Sequence, residues 1–172
     1  MICPDCGFDN IDGDDECAAC GQSLVQFDPA GGDLEQSISR HTVQVLAPKK
    51  PVMVQTSTTT ADAIRTMVQH GIGCLIVEQQ GTLAGIFTER DVLNKISEEL
   101  PLDRPVSEFM TVSPTAIEPN DSIAYALHTM DLGGYRHLPI VDGEGKPIGI
   151  ISVRDILRFL CVRFAEIRAE NS

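Results

Sequence analysis

From residue 52 onward the apolar positions alternate between two periods. Val52-Met53-Val54 reads as a short strand. Residues 60–69 then place Ala61, Ile64, Met67 and Val68 on one face, the spacing of a helix. Cys74-Leu75-Ile76-Val77 is a continuous apolar run that suits a buried strand, Gln79-Gln80-Gly81 a turn, and residues 83–87 a second strand. Thr88 opens the next helix. The same order then returns: Thr115-Ala116-Ile117 as a strand, a helix over 122–130, a strand over 138–141, the turn Asp142-Gly143-Glu144-Gly145, and a strand over 148–151. A long closing helix from 155 to about 166 carries Ile156, Leu160, Phe164 and Ile167 on one stripe. Ahead of all this, Asp28-Pro29-Ala30-Gly31-Gly32 has linker composition, and Asp33 is expected to cap a short helix over 34–39.

The return is an internal repeat. Sliding the chain by 64 aligns 75–94 with 139–158, and eight positions are identical: Ile76/Ile140, Val77/Val141, Gly81/Gly145, Gly85/Gly149, Ile86/Ile150, Arg90/Arg154, Asp91/Asp155 and Leu93/Leu157. A slide of 63 aligns 61–67 with 124–130. One copy of about 60 residues is marginal as an independent fold. Two copies packed through their sheets share a core and leave a pair of quasi-symmetric clefts.

Charge narrows the functions open to this chain. Thirteen Lys and Arg face 25 Asp and Glu, a formal charge of −12. Residues 1–39 hold nine acids and no Lys or Arg. Such a surface repels a nucleic-acid backbone. No stretch approaches the roughly 20 apolar residues that span a bilayer, so no membrane partner is expected. Met1-Ile2-Cys3-Pro4-Asp5 lacks the basic and apolar regions of a signal peptide. A cytoplasmic location, with reduced thiols, is therefore expected.

Six cysteines then need a role other than disulfides. Four stand as two pairs, Cys3-Pro4-Asp5-Cys6-Gly7 and Cys17-Ala18-Ala19-Cys20-Gly21. A C-x2-C turn aims both sulfurs at one ion, and the following glycine permits a tight knuckle. Four thiolates in tetrahedral array suit Zn2+, with iron as the alternative ion. So short a segment has almost no core, and metal binding would supply its folding free energy. With all four positions filled by sulfur, no coordination site stays open for catalysis. Four thiolates around a dication add a further −2, which argues again against nucleic acid. The segment resembles a zinc ribbon over residues 1–24, which implies a closed structural knob or docking surface for a protein partner.

The repeats carry a more specific resemblance. Gly85-Ile86-Phe87-Thr88-Glu89-Arg90-Asp91 and Gly149-Ile150-Ile151-Ser152-Val153-Arg154-Asp155 occur in equivalent places. With them stand Gly134-Tyr135-Arg136-His137-Leu138-Pro139-Ile140-Val141-Asp142 and the connector Val106-Ser107-Glu108-Phe109-Met110-Thr111. Together these resemble the cystathionine-β-synthase (CBS) domain pair, or Bateman module, over about 45–165. The implied fold class is α+β: two CBS repeats (β-α-β-β-α) preceded by a small four-cysteine zinc ribbon. The implied divisions are 1–24 for the ribbon, 25–44 for a linker and short helix, 45–104 for repeat 1 and 105–168 for repeat 2.

Thr88-x-x-Asp91 and Ser152-x-x-Asp155 have the form of a helix capping box, and local structure alone would account for them. The resemblance implies more. In the CBS family the same hydroxyl and carboxylate line the cleft, and the Asp accepts from the ribose of an adenosine ligand. Arg136 and His137 stand where family members contact phosphate. Ile72-Gly73, their counterparts by the 64-residue slide, carry no charge, which leaves one phosphate clamp. Its expected members are Arg136 and His137 with the Thr88/Asp91 side. The Ser152/Asp155 cleft is left empty or holds an uncharged nucleoside end.

Arg90 and Arg154 face either phosphate or solvent; Lys49, Lys50 and Lys146 are read as solvated, Val52, Val54 and Ile117 as core, Cys74 and Cys161 as packing residues, and His41, His70 and His128 as surface. No phosphate loop, nucleophile elbow or two-histidine helix is present, so no enzymatic activity is expected. The resemblance implies a regulatory module sensing AMP, ADP or ATP, with S-adenosylmethionine as an alternative ligand. A ligand-free scaffold that forms a homodimer through the CBS helices is the rival reading.

Overall fold

The computed structural model describes residues 3, 6–11, 14–24, 33–95 and 102–170. The linker composition at 28–32 lies outside the described residues, as does the Asp33 side chain. Helix α1 (Asp33–Arg40) leads into a 3-10 turn, Val43–Leu46. Repeat 1 then runs β1 (Met53–Gln55), α2 (Thr60–His70), β2 (Cys74–Gln79), β3 (Thr82–Thr88) and α3 (Glu89–Lys95). A second 3-10 turn, Val106–Glu108, and β4 (Thr111–Val112) follow. Repeat 2 runs α4 (Ile123–Gly133), β5 (His137–Val141), β6 (Pro147–Ser152) and α5 (Val153–Glu170).

Local chemistry sets the helix ends. Thr59 Oγ1 accepts from the Asp62 amide at 3.2 Å and donates to Asp62 Oδ2 at 2.9 Å, which tethers the first turn of α2. Ser122 Oγ accepts from the Tyr125 amide at 3.1 Å at the start of α4. Gly71 and Gly134 end these helices at φ 60 and φ 62, a left-handed conformation that costs other residues more.

The first sheet has the order β1-β2-β3-β4, with β1 and β2 parallel and the other pairs antiparallel. The second has β5 and β6 antiparallel, extended by single bridges from Ile117 to Ile140 and from Lys49 to Ile150. The strand expected over 115–117 is thus reduced to one bridge at Ile117. Pro114, just before it, removes a ladder donor there.

Each core is completed by a segment from outside its own repeat's hairpin. Val106 and Phe109 pack with Ala63, Met67, Leu75, Val77 and Phe87. Val43, from before repeat 1, packs with Ile117, Ile123, Ala126, Leu138, Ile151 and Ile156. Burying each such Val, Leu, Ile or Phe contributes about 1.5–3 kcal/mol, and the exchange threads the repeats together. Between them, Ile150 packs on Cys74, Ile76 and Ile86, and the Leu83 amide donates to the Gly145 carbonyl at 3.1 Å.

Helix α1 docks on repeat 2. Arg163 Nε donates to Ser37 Oγ at 3.0 Å, and the rings of His41 and Phe159 meet edge-on at 5.6 Å. His41, expected at the surface, is therefore half-buried. The α5 stripe is uneven: Ile156 is buried, while Phe164 is 57% exposed.

Core equivalence corrects the repeat alignment. Leu75 and Val77 hold the core places that Leu138 and Ile140 hold in repeat 2, a spacing of 63. From β3 onward, Phe87 and Ile151 correspond at 64. The extra residue lies in the turn between the strands. The identities Ile76/Ile140 and Val77/Val141 therefore join residues on opposite sheet faces, since one step flips every side chain. The counterparts of Arg136 and His137 are Gly73 and Cys74. Matching bonds support this: the Glu89 amide donates to Gly73 O at 3.1 Å, and the Val153 amide to Arg136 O at 3.0 Å.

Candidate functional site: paired clefts and a thiol cluster

At the junction of β3 and α3, Asp91 Oδ2 accepts from the Thr88 amide at 2.9 Å and from Thr88 Oγ1 at 2.6 Å. At the junction of β6 and α5, Asp155 Oδ2 accepts from the Ser152 amide at 2.9 Å and from Ser152 Oγ at 2.6 Å. Each carboxylate is held in the same way, by a hydroxyl three residues ahead at the end of a strand. One oxygen of each Asp is thereby committed to local structure.

The second oxygens differ. Lys95 Nζ lies 2.7 Å from Asp91 Oδ1 and also donates to the Phe109 carbonyl at 2.8 Å. Asp155 Oδ1 has Lys49 Nζ at 4.0 Å, beyond hydrogen-bond reach. Burial opposes ionisation of Asp155, but the Ser152 donors and the Lys49 and Arg158 charges hold its carboxyl below the usual range. Lys49, read as a solvated residue, has its backbone fixed by reciprocal bonds with Ile150 at 3.2 and 3.0 Å.

His137 stands opposite Ser152 in the sheet register. Burial pushes its imidazole below the usual histidine range; Asp155 and Glu89 oppose this, while Arg136 and Lys49 add to it. The charges acting on His137 thus come from both junctions, Asp155 beyond Ser152 and Glu89 next to Thr88, while the sheet register sets His137 opposite Ser152. Arg136 is exposed at the same strand start. Between Thr88 and Asp91, Arg90 reaches repeat 2, its Nη1 donating to the Gly134 carbonyl at 3.4 Å.

The counterpart of His137, Cys74, is buried, and burial together with the Asp91 charge pushes its thiol up to about 12. Where repeat 2 has Arg136, repeat 1 has Gly73, with the Glu89 carboxylate folded over it: a β-carbon there would lie 3.0 Å from Glu89 Oε2. A cavity of about 240 Å³ opens beside Asp155, walled by Val45, Leu46, Phe159 and Val162, with Arg158 at its edge.

The thiol cluster is separate. Cys3, Cys6, Cys17 and Cys20 place their sulfurs within 4.8 Å of one another. Cys3 to Cys20 is 3.7 Å and Cys6 to Cys17 is 3.6 Å. Those distances match the edge of a tetrahedron, about 3.8 Å, around an ion with 2.3 Å metal–sulfur bonds; a disulfide would need about 2.05 Å. Two equivalent knuckles build the cluster. The Gly7 amide donates to Cys3 O at 2.9 Å and the Gly21 amide to Cys17 O at 2.8 Å, both glycines at φ 72. Burial raises the Cys17 thiol, yet amide donors from Ala19 and Cys20, with Cys6 and Asn10, bring it down to about 6. Cys20 goes up to about 12: the Gln22 amide draws it down, and burial and its three neighbouring cysteines outweigh that. Four crowded sulfurs cannot all ionise unaided, and a dication among them would remove the conflict. The donor set fits zinc.

Comparison with known proteins places the repeats. A family model described as CBS domain matches residues 44–98 and 106–162. The 17.7 kDa protein of the bps2 3′ region of Acidianus ambivalens is 36% identical over 119 residues, which cover 69% of this chain and 72% of the relative. The structure of CBSX2 in complex with AMP matches with TM-score 0.62 and 25% identity, over 73% of this chain and 98% of the other. The CBS domain pair of protein MJ0100, solved with 5′-methylthioadenosine and S-adenosyl-L-methionine, matches in fold with TM-score 0.66 and 20% identity, over 72% and 98%. Longer relatives exist: the chain spans 22% of CBSCBSPB5 of Arabidopsis thaliana, at 35% identity over 67% of this chain. The matched residues begin at 44, so the thiol cluster rests on its own geometry.

Proposed function

We propose that this chain, which belongs to the CBS domain family through both of its repeats, is a regulatory module that binds an adenosine-containing ligand where the repeats meet. The observation that carries this reading is the duplicated hydroxyl–carboxylate pair, Thr88/Asp91 and Ser152/Asp155, held in matching geometry at a strand end. A carboxylate fixed in this way suits a cis-diol, because its remaining lone pairs point in set directions. The AMP complex of CBSX2 supports the same ligand class. Arg136 and His137 would meet phosphate, which favours AMP, ADP or ATP over S-adenosylmethionine.

The module acts by population shift: the ligand touches both repeats, favours one relative arrangement and alters what partners meet. Cys3, Cys6, Cys17 and Cys20 would hold Zn2+, which supplies the folding free energy of the N-terminal knob and no reaction chemistry. Helix α1, docked on α4 and α5, joins that knob to repeat 2. No helix of the described residues is long and apolar enough to cross a membrane.

The test is thermal unfolding of zinc-loaded protein with AMP, ADP, ATP, S-adenosylmethionine and adenosine. A ligand at 100 times its Kd adds about 2.7 kcal/mol, a rise of roughly 5–10 °C for a chain of this size. No shift with any adenosine compound moves the weight to a homodimeric scaffold. That second reading is favoured by Leu93 and Leu157, equivalent residues 82% and 54% exposed on the helical faces of the two repeats.

A further inference from the structure

We infer that the chain takes one ligand rather than two, a nucleoside phosphate at Asp155, and that Lys95 holds the equivalent place at Asp91 closed from within the fold. The inference rests on the adenosine-binding reading above and assigns it to one cleft.

Three differences between equivalent positions carry it. Lys95 corresponds to Phe159, each four residues beyond its Asp on the same helix. In repeat 1 the ammonium takes Asp91 Oδ1 at 2.7 Å and is anchored again by the Phe109 carbonyl at 2.8 Å. Asp91 therefore has donors on both oxygens; its side chain is 8% exposed against 12% for Asp155, so the second donor and not burial sets the two places apart. An incoming sugar hydroxyl would have to displace a charge-assisted bond on a buried oxygen, and such bonds are about twice as strong as neutral ones. In repeat 2 the residue at this position has no charge to offer. Its ring instead forms one wall of the cavity beside Asp155, whose Oδ1 is left with a cation 4.0 Å away on a side chain that is 71% exposed.

The second difference is Cys74 against His137. Repeat 1 presents a buried thiol beside its Asp, where repeat 2 presents an imidazole able to donate to phosphate. The third is Gly73 with Glu89 against Arg136 with Val153. Repeat 1 covers its strand start with a carboxylate, where repeat 2 carries a guanidinium. All three changes run the same way. The second oxygen of Asp91 is closed by Lys95, while that of Asp155 keeps no direct donor among the described residues and has the charges of Lys49 and Arg158 around it, with His137 beside it. Apolar walls for a base, an acceptor for the diol and cations for an anionic tail define a nucleoside phosphate.

The experiment is calorimetric titration of AMP into zinc-loaded full-length protein. Wild type should bind one AMP per chain, and Asp155→Asn should lose at least tenfold in affinity. Lys95→Phe, which copies repeat 2, should raise the stoichiometry to two, and the added site should survive in the Lys95→Phe/Asp155→Asn double variant. Lys95→Met serves the same purpose if the phenylalanine fails to fold, and melting curves report folding in each case. Two sites in wild type, undiminished binding in Asp155→Asn, or a single site in both folded Lys95 variants would overturn the inference. Silence from wild type and every variant would overturn the adenosine reading itself, and the inference would fall with it.

Discussion

Gly85 in β3 lies under the connector strand so closely that a β-carbon on it would stand 2.9 Å from the Thr111 carbonyl oxygen and collide with Met110. Its counterpart Gly149 is roomier: a β-carbon there meets Pro48 Cβ at 3.2 Å and Ile140 Cδ1 at 3.3 Å. The same motif glycine therefore serves two levels of crowding. Gly85→Ala should destabilise the chain by about 1–3 kcal/mol, the usual range for overpacking, and Gly149→Ala by clearly less. Urea unfolding of both variants checks this, and equal losses would show that the connector yields.

His137 should make stability depend on pH. Burial lowers its pKa in the folded chain, so the unfolded chain binds the proton more tightly. The contribution of the neutral ring is complete above the unfolded value near 6.5. It is lost as pH falls through that value toward the lower folded one. The melting temperature should fall between pH 7.5 and 5.5, and His137→Gln should reduce that fall. An unchanged slope would place the cause in another group.

Removing the metal should leave the repeats standing. The cluster of Cys3, Cys17 and Leu24 shares no buried residue with the two repeat cores. One zinc per chain should be released by a thiol-reactive reagent, and Cys17→Ser should retain none. In that variant the main urea transition should keep its midpoint, while amide exchange over 3–24 accelerates. A large drop in the main midpoint would mean that the knob supports the repeats.

Arg136 should separate phosphate from nucleoside. Arg136→Ala is expected to weaken AMP at least tenfold, about 1.4 kcal/mol, and adenosine less than threefold. Equal losses for both would remove its phosphate role.

Much of this was legible in the chain. The helical and strand periods located α2, β2, β3, α4, β5 and β6 to within a few residues, but the face expected for α2 is partly wrong: Ala63 and Met67 are buried, while Val68 is 75% exposed. The paired cysteines located the sulfur cluster, since two C-x2-C turns with trailing glycines leave few other geometries. What stayed hidden was non-local. Identity favoured a slide of 64 through β2, but Leu75 and Leu138 show that packing runs at 63 there. The extra turn residue has no signature of its own. The aligned window ended at Asn94 and Arg158, one residue short of Lys95 and Phe159, the pair that distinguishes the clefts. Lys49 is solvated as expected, 71% exposed, but its place near Asp155 follows from a backbone pairing with Ile150 that spans about a hundred residues.

The central claim is that the paired repeats form a selective adenosine site. Equilibrium dialysis with labelled AMP against zinc-loaded protein tests it most directly. Saturable uptake that unlabelled adenosine displaces, that guanosine monophosphate displaces far less, and that Asp155→Asn weakens at least tenfold is the expected result. Uptake that never saturates, or that guanosine monophosphate displaces as well as AMP does, would contradict it.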